Sequence, residues 1–221
     1  MAEKRKSPPV VATPRGVLTY NFFTKPDTKF DPEGVYKSNI TIDAAKAAPL
    51  IKDINAQTAA KVETTKAELL KKGGKDAVKA RKLTTATPYE DVVDKEGEPT
   101  GKVSFKTKVK AVGKNDKGET WSNKPPVFDK SGAPLEGAVY SGSEGQLSIQ
   151  LIPYYMASSN EVGVTLRLKA ARVTKLVNGN RDASSYGFED DEDEDQDDAA
   201  DEDTSEESIE GGAEDEGDDD F

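Results

Sequence analysis

The sequence predicts a mainly β chain: a small antiparallel barrel of five to six strands, one capping helix and a disordered acidic C-terminal tail. Three observations carry this. About six segments rich in β-branched and aromatic residues are bounded by Gly, Pro, Asn and Asp turns. Only one stretch has sustained helical spacing, so the repeated crossovers of a parallel α/β fold are missing. The charge, finally, is partitioned. Of 42 acidic residues, 21 follow Phe188 with no Lys or Arg among them, which leaves 31 basic against 21 acidic residues in the body. The formal net charge of −11 is thus +10 on the body and −21 on the tail.

Taken in order, residues 1–14 are Lys- and Pro-rich with little to bury and read as a flexible basic arm. Residues 15–23 read as the first strand, and Lys25-Pro26-Asp27 and Asp31-Pro32-Glu33-Gly34 punctuate the loop after it. Residues 35–42 form the second, with Tyr36, Ser38, Ile40 and Ile42 on one face. The helix is expected over about 49–72. Pro49 suits a first helical position, Leu50, Ile54, Thr58, Val62 and Leu69 recur on one face, and Gly73-Gly74 stops the run. Residues 74–101 read as a long, weakly patterned connection. Four β segments follow, at 102–112, 119–128, 146–156 and 161–177. The expected organisation is an arm (1–14), one barrel domain (15–180) and a tail (181–221).

Cysteine and histidine are both absent, which excludes disulfides, thiolate chemistry, Ser-His-Asp catalysis and the commonest zinc sites. No Walker loop or dinucleotide fingerprint is present. Asp91, Asp94 and Glu96 would suit a nuclease metal site, but beside Lys95 and Gly97 they read as a solvated turn. The expectation is a non-enzyme without cofactor or metal. No apolar run approaches the roughly 18–20 residues of a membrane span, and the N-terminus leads into no apolar signal region.

The segment from Lys102 to Lys110 alternates cleanly. Val103, Phe105, Thr107 and Val109 should look inward, while Lys102, Lys106, Lys108 and Lys110 stand outward at about 6.5–7 Å intervals. That interval nearly matches the phosphates of an extended single strand, so the row suits phosphate contact. The plainer alternative is a solvated face, or edge lysines that block sheet aggregation. Thr165, Arg167 and Lys169 repeat the pattern, with Val164, Leu166 and Leu168 inward. Of 15 aromatic residues, 14 lie in the body. Tyr20 or Phe22, and Tyr36, suit the core, whereas Trp121 fits either the core or a base-stacking surface. Tyr154 and Tyr155 are consecutive and must face opposite sides, so at least one is offered outward. The tail self-repels and is expected to be disordered. It reads either as a solubility tail or as a polyanion that visits the basic groove until a ligand displaces it. The closing Asp218-Asp219-Asp220-Phe221 suits a docking anchor for a partner.

A five-stranded barrel with an interposed helix is the oligonucleotide-binding type. The chain resembles the replicative single-stranded DNA-binding proteins of tailed bacteriophages. The resemblance rests on Lys25-Pro26-Asp27, Gly34-Val35-Tyr36-Lys37 running into Ile40-Thr41-Ile42, Pro49, Phe105 to Lys110, Leu151-Ile152-Pro153-Tyr154, Val164 to Leu168, and the Asp-rich end with Phe221. It implies a helix-capped barrel, a homodimer in the host cytoplasm, that coats single strands in DNA replication, recombination and repair. Arg81, Lys108 and Tyr154 match groove positions. The tail end would contact the replicative polymerase and helicase–primase, and would cover the groove when DNA is absent. Together the readings assign Lys106, Lys108, Lys110, Arg81 and Arg167 to phosphates and Tyr154 and Trp121 to bases. The rival reading is an acidic-tailed chaperone or DNA-mimic interaction protein whose body binds no DNA.

Overall fold

Alternating apolar residues decide which face of each strand turns inward, and five strands alternate strongly enough to close a ring. In the computed structural model, which describes residues 8–115 and 117–177, the chain runs β1 (Val10–Ala12), β2 (Gly16–Asp27), β3 (Val35–Asp43), α1 (Ala44–Lys72) and α2 (Gly74–Arg81). It continues through β4 (Thr84–Ala86), β5 (Tyr89–Val93), β6 (Pro99–Lys110), β7 (Val112–Lys114), β8 (Thr120–Ser122), β9 (Val127–Phe128), β10 (Glu144–Met156) and β11 (Glu161–Lys175). The expected acidic tail, including Asp218, Asp219, Asp220 and Phe221, lies outside the described residues.

The ring is β2–β3–β6–β11–β10 and back to β2. Four of its contacts are antiparallel and one, β6 with β11, is parallel. Its interior holds Leu18, Phe23, Ile40, Ile42, Val103, Phe105, Leu147, Ile149, Leu151, Val164, Leu166 and Leu168. Both alternations expected for β3 and β6 are present. Tyr36, Ser38, Ile40 and Ile42 are buried, as are Val103, Phe105 and Thr107, while Lys106, Lys108 and Lys110 are exposed. Thr107 sits inside because its hydroxyl donates to the Ser38 carbonyl oxygen at 2.7 Å.

β2 departs from simple alternation. Leu18 and Phe23 both point inward although they are five residues apart, which a period of two forbids. A bulge between Thr19 and Phe22 supplies the parity change, with Tyr20 at φ 52°. Of the two aromatics left as alternatives for the core, Tyr20 is turned out to 65 % exposure and Phe22 is half-buried.

Three further expectations are corrected. The helix begins at Ala44 rather than Pro49, because the Ala-rich run Ala44 to Ala48 favours helix strongly enough to carry a proline inside. Ala47, Leu50 and Ile54 plug the barrel, and the later turns pack against α2. Residues 74–101 are not a loose connection: they form α2, β4, β5 and the start of β6. Asp94, one of the clustered acids there, accepts the backbone N–H groups of Glu96 and Glu98 and builds the β5–β6 turn. Val10–Ala12, placed by sequence in the flexible arm, pair with β10 as a strand. Among the described residues no helix is long and apolar enough to cross a membrane.

The ring closes through a short seam, Glu144 opposite Val17 and Gly145 opposite Gly16. A Cβ on Gly16 would lie 2.8 Å from Ile42 and 2.9 Å from Ile40, besides striking the Thr41 carbonyl oxygen. One on Gly145 would strike the Arg172 carbonyl oxygen and approach Leu18 at 3.2 Å. Gly145→Val is therefore expected to destabilise the barrel by about 1–3 kcal/mol, the usual penalty of overpacking. A lowered urea midpoint at unchanged slope checks this.

Candidate nucleic-acid interface

Two hollows adjoin on the outer face of the ring and share Lys108 and Thr165. The larger, about 1100 Å³, is lined by Lys108, Lys110, Lys114, Lys124, Arg167 and Lys169, with Trp121 on its wall. The smaller, about 370 Å³, contains Lys37, Lys106 and Tyr154. Six of the seven body residues expected at the site are thus brought to one continuous groove. Arg81 is the exception: it ends α2 and lines neither hollow. That end is tied to the β10–β11 turn by Asn160, whose side-chain amide donates to the Lys79 and Lys82 carbonyl oxygens at 3.0 and 2.7 Å.

Strand register aligns the charges. Lys37 of β3 lies opposite Lys108 of β6, which lies beside Arg167 of β11. Adjacent strands are about 4.8 Å apart, and like charges directly opposed destabilise a sheet. Lys37 is compensated, 2.5 Å from Asp27 and 4.9 Å above the Phe22 ring. The hydrogen bond from Lys37 and another from the Lys29 backbone hold the Asp27 carboxyl below its ordinary range. Lys106 pairs with Glu90 at 2.7 Å, and Lys114 pairs with Glu33. Glu90 reaches the β6 row on β5, a strand not foreseen from the sequence. Among the described residues Lys108, Lys110, Arg167 and Lys169 have no carboxylate within ion-pair distance.

The aromatics are held at the groove by specific bonds. Trp121 is half exposed on the β7–β8 hairpin, with its ring packed where a Cβ on Gly113 would lie. Its indole N–H donates to Asn123 at 2.9 Å, and Asn123 in turn donates to the Lys110 carbonyl oxygen at 3.0 Å. Neither Tyr154 nor Tyr155 belongs to the core cluster. Tyr154 donates its hydroxyl to Glu161 at 2.9 Å, and Tyr155 donates to Asn160 at 3.1 Å. Burial, then the Glu161 hydrogen bond and charge, push the Tyr154 phenol above its ordinary value. Lys114 and Lys124, in the larger hollow, were not singled out from sequence, because turns separate them from any alternating strand.

No protein-family model and no curated protein sequence matches the chain. Solved structures do. That of gp2.5, a single-stranded DNA-binding protein encoded by bacteriophage T7, superposes with a TM-score of 0.62 at 21 % identity, over 84 % of this chain and 97 % of that one. The single-stranded DNA-binding protein of bacteriophage Enc34, in a C-terminal truncation and in a complex with single-stranded DNA, gives 0.50 at 16 % identity, over 80 % of this chain and 98 % of each of those. The chain has the fold of the phage single-stranded DNA-binding proteins. In that fold the groove described above runs over the outer face of β6 and β11, where the uncompensated cations lie.

Two outcomes follow from the aromatic geometry. Gly113→Ala places a methyl where the indole ring rests, so the emission of the single tryptophan should shift toward that of a solvated indole. The Tyr154 phenol should ionise above 10.0, the ordinary value. The folded state then keeps that proton longer than the unfolded chain, so Tyr154 favours folding below the ordinary value and loses that effect as pH rises through the raised one. Glu161→Gln should lower the midpoint, read as the phenolate absorbance difference from a Tyr154→Phe chain.

Proposed function

We propose that the protein binds single-stranded DNA without strong sequence preference, as a binding protein and not an enzyme. The observation that carries the reading is the opposed pair Lys108 and Arg167, uncompensated at the junction of the two hollows. Two cations set side by side on neighbouring strands cost stability unless a polyanion joins them. Trp121 and Tyr154 flank the pair on either side, and an aromatic ring stacks on any base. The groove's phosphate contacts are expected from Lys106, Lys108, Lys110 and Arg167, and Arg81 would serve a strand leaving past the end of α2. The names of the similar structures, one solved with single-stranded DNA, favour the same ligand.

The finer part of the proposal is a coat on single strands during phage DNA replication and recombination, formed by a homodimer in the host cytoplasm. The acidic tail would compete with DNA for the groove. Once displaced, it would recruit the replicative polymerase and helicase–primase through Asp218, Asp219, Asp220 and Phe221. The support is charge: a −21 segment joined to a +10 body.

The test is a salt series with a dT oligonucleotide and the full chain. Each phosphate neutralised should add about −0.7 to the slope of log K on log salt. Lys108→Ala and Arg167→Ala should each shallow the slope by about that amount. Tyr154→Ala should weaken binding by about 1–3 kcal/mol with the slope unchanged. Deleting residues 189–221 should tighten binding at low salt; unchanged affinity would refute occlusion by the tail. The chaperone or DNA-mimic reading predicts no binding even without the tail.

A further inference from the structure

Asn160 closes the β10–β11 turn at φ 56°, a left-handed conformation that asparagine tolerates better than most side chains. It is a junction between three segments. Its carbonyl oxygen accepts the Thr84 N–H at 3.1 Å, where the parallel pairing of β4 with β11 begins. Its side-chain amide bridges the Lys79 and Lys82 carbonyl oxygens at the end of α2. The Tyr155 hydroxyl donates to the oxygen of that amide at 3.1 Å. Tyr155 thereby fixes which way the amide faces. With its oxygen engaged by a donor, the two N–H groups are turned to the two carbonyls.

The end of α2 held in this way is cationic. Lys79, Arg81 and Lys82 are exposed, and among the described residues none of them has a carboxylate within ion-pair distance. Basic side chains often serve a helix C-terminus by bonding its last carbonyls. Here neutral groups do that work: the Lys79 carbonyl oxygen accepts both the Lys82 N–H and the Asn160 amide. The cluster is also continuous with the smaller hollow. Thr87 and Pro88 line that hollow together with Tyr154, and β4 leads from them back to α2. A Cβ on Gly163 would lie 2.8 Å from the Tyr154 hydroxyl and 2.9 Å from the Ala86 carbonyl oxygen, so Tyr154 and β4 adjoin across Gly163. From Ala86 back to Lys82 the chain covers about 13 Å at a strand's rise. Little acid lies on this path. β4 and residues 157–160 carry none, Asp76 sits in the first turn of α2, and the Glu161 carboxylate accepts the Tyr154 hydroxyl.

We propose that Asn160 is a positioning residue for single-stranded DNA, holding Lys79, Arg81 and Lys82 where they take the phosphates of a strand that leaves the smaller hollow past Tyr154 and β4. The proposal rests on the single-stranded DNA reading and deepens it. Arg81, which lines neither hollow, becomes part of a second contact element, and Tyr155 orients the amide that places it.

The experiment follows a labelled dT oligonucleotide by anisotropy across a salt series, using the full chain. The triple substitution Lys79→Ala, Arg81→Ala, Lys82→Ala should weaken binding and shallow the slope by about 2, three phosphates at about 0.7 each. Asn160→Gly keeps the left-handed turn and removes only the amide. It should shallow the slope by less than the triple substitution, and should change nothing further when added to it. Tyr155→Phe, which keeps the ring and loses the hydroxyl, should act in the same direction more weakly, and reads the same contact if Asn160→Gly lowers the urea midpoint too far for use. An unchanged slope in the triple variant overturns the proposal. So does an unchanged slope in Asn160→Gly, or a loss that adds to that of the triple variant, because Asn160 would then act elsewhere than through the cluster. Absence of binding by the unaltered chain defeats the functional reading itself, a result distinct from a cluster that fails while Lys108→Ala still shallows the slope.

Discussion

Closure of the ring is the constraint on which the other features depend. Five twisted strands can share one dry interior only if the first and fourth meet, and here they meet at the Gly145–Gly16 seam. Neither position has room for a methyl group. With the seam closed, β11 has β10 on one side and the end of β6 on the other. That second contact is parallel and brief, Leu166 beside Thr107 and Arg167 beside Lys108. The interior residues of that contact, Leu166 and Thr107, are buried, so Arg167 and Lys108 are obliged to face out together. The electrostatic character of the groove is a consequence of how the barrel shuts.

The distribution of carboxylates around the groove is uneven in an informative way. Lys37, Lys106 and Lys114 each receive an acid, from Asp27, Glu90 and Glu33 respectively. These acids come from the β2–β3 region and from β5, at the margins. Among the described residues none lies within ion-pair distance of Lys108, Lys110, Arg167 or Lys169 at the centre. Exposed ion pairs contribute at most about 1 kcal/mol, so the margins are not stabilised much by their acids. Their effect is on the field: neutral flanks concentrate the positive potential along Lys108, Lys110, Arg167 and Lys169. Trp121 lines one hollow and Tyr154 the other, each fixed by a hydrogen bond.

Alternation was the legible part of the sequence, and it marked most of the cations that line the proposed groove. Phe105 to Lys110 and Val164 to Lys169 each state which side chains are inward, and the outward set includes Lys106, Lys108, Lys110 and Arg167. What sequence spacing lacks is anything about neighbours. Glu90 opposes the β6 row only because β5 folds back on β6, and residues 89–93 have too weak a pattern to announce a strand. The choice between Tyr20 and Phe22 stays open in the sequence for a related reason: a bulge changes parity without leaving a Gly or Pro to mark it. Pro49 misleads more directly, since a proline rule valid at a helix start was outweighed by the alanines before it. The arm was illegible because three residues, Val10–Ala12, are too short to show a period, and their strand exists only by borrowing β10.

The joining of a cationic groove to a −21 segment in one chain has a consequence for which ligands the proposed site accepts. A tethered competitor acts at an effective concentration that linkage, not solution, sets, and for short flexible linkers this is of order millimolar. If the tail competes for the groove as proposed, a short oligonucleotide would have to displace it at every encounter and would meet that competition in full. A long strand, once it has displaced one tail, offers phosphates to neighbouring molecules at comparably high local concentration, so the penalty falls on initiation more than on extension. Salt would weaken the proposed tail–groove and DNA–groove attractions alike, because both would be contests for the same cations. The proposed tail is then not a simple inhibitor. On the proposed reading it would raise the threshold for first contact and leave a continuous coat on long single strands comparatively unopposed.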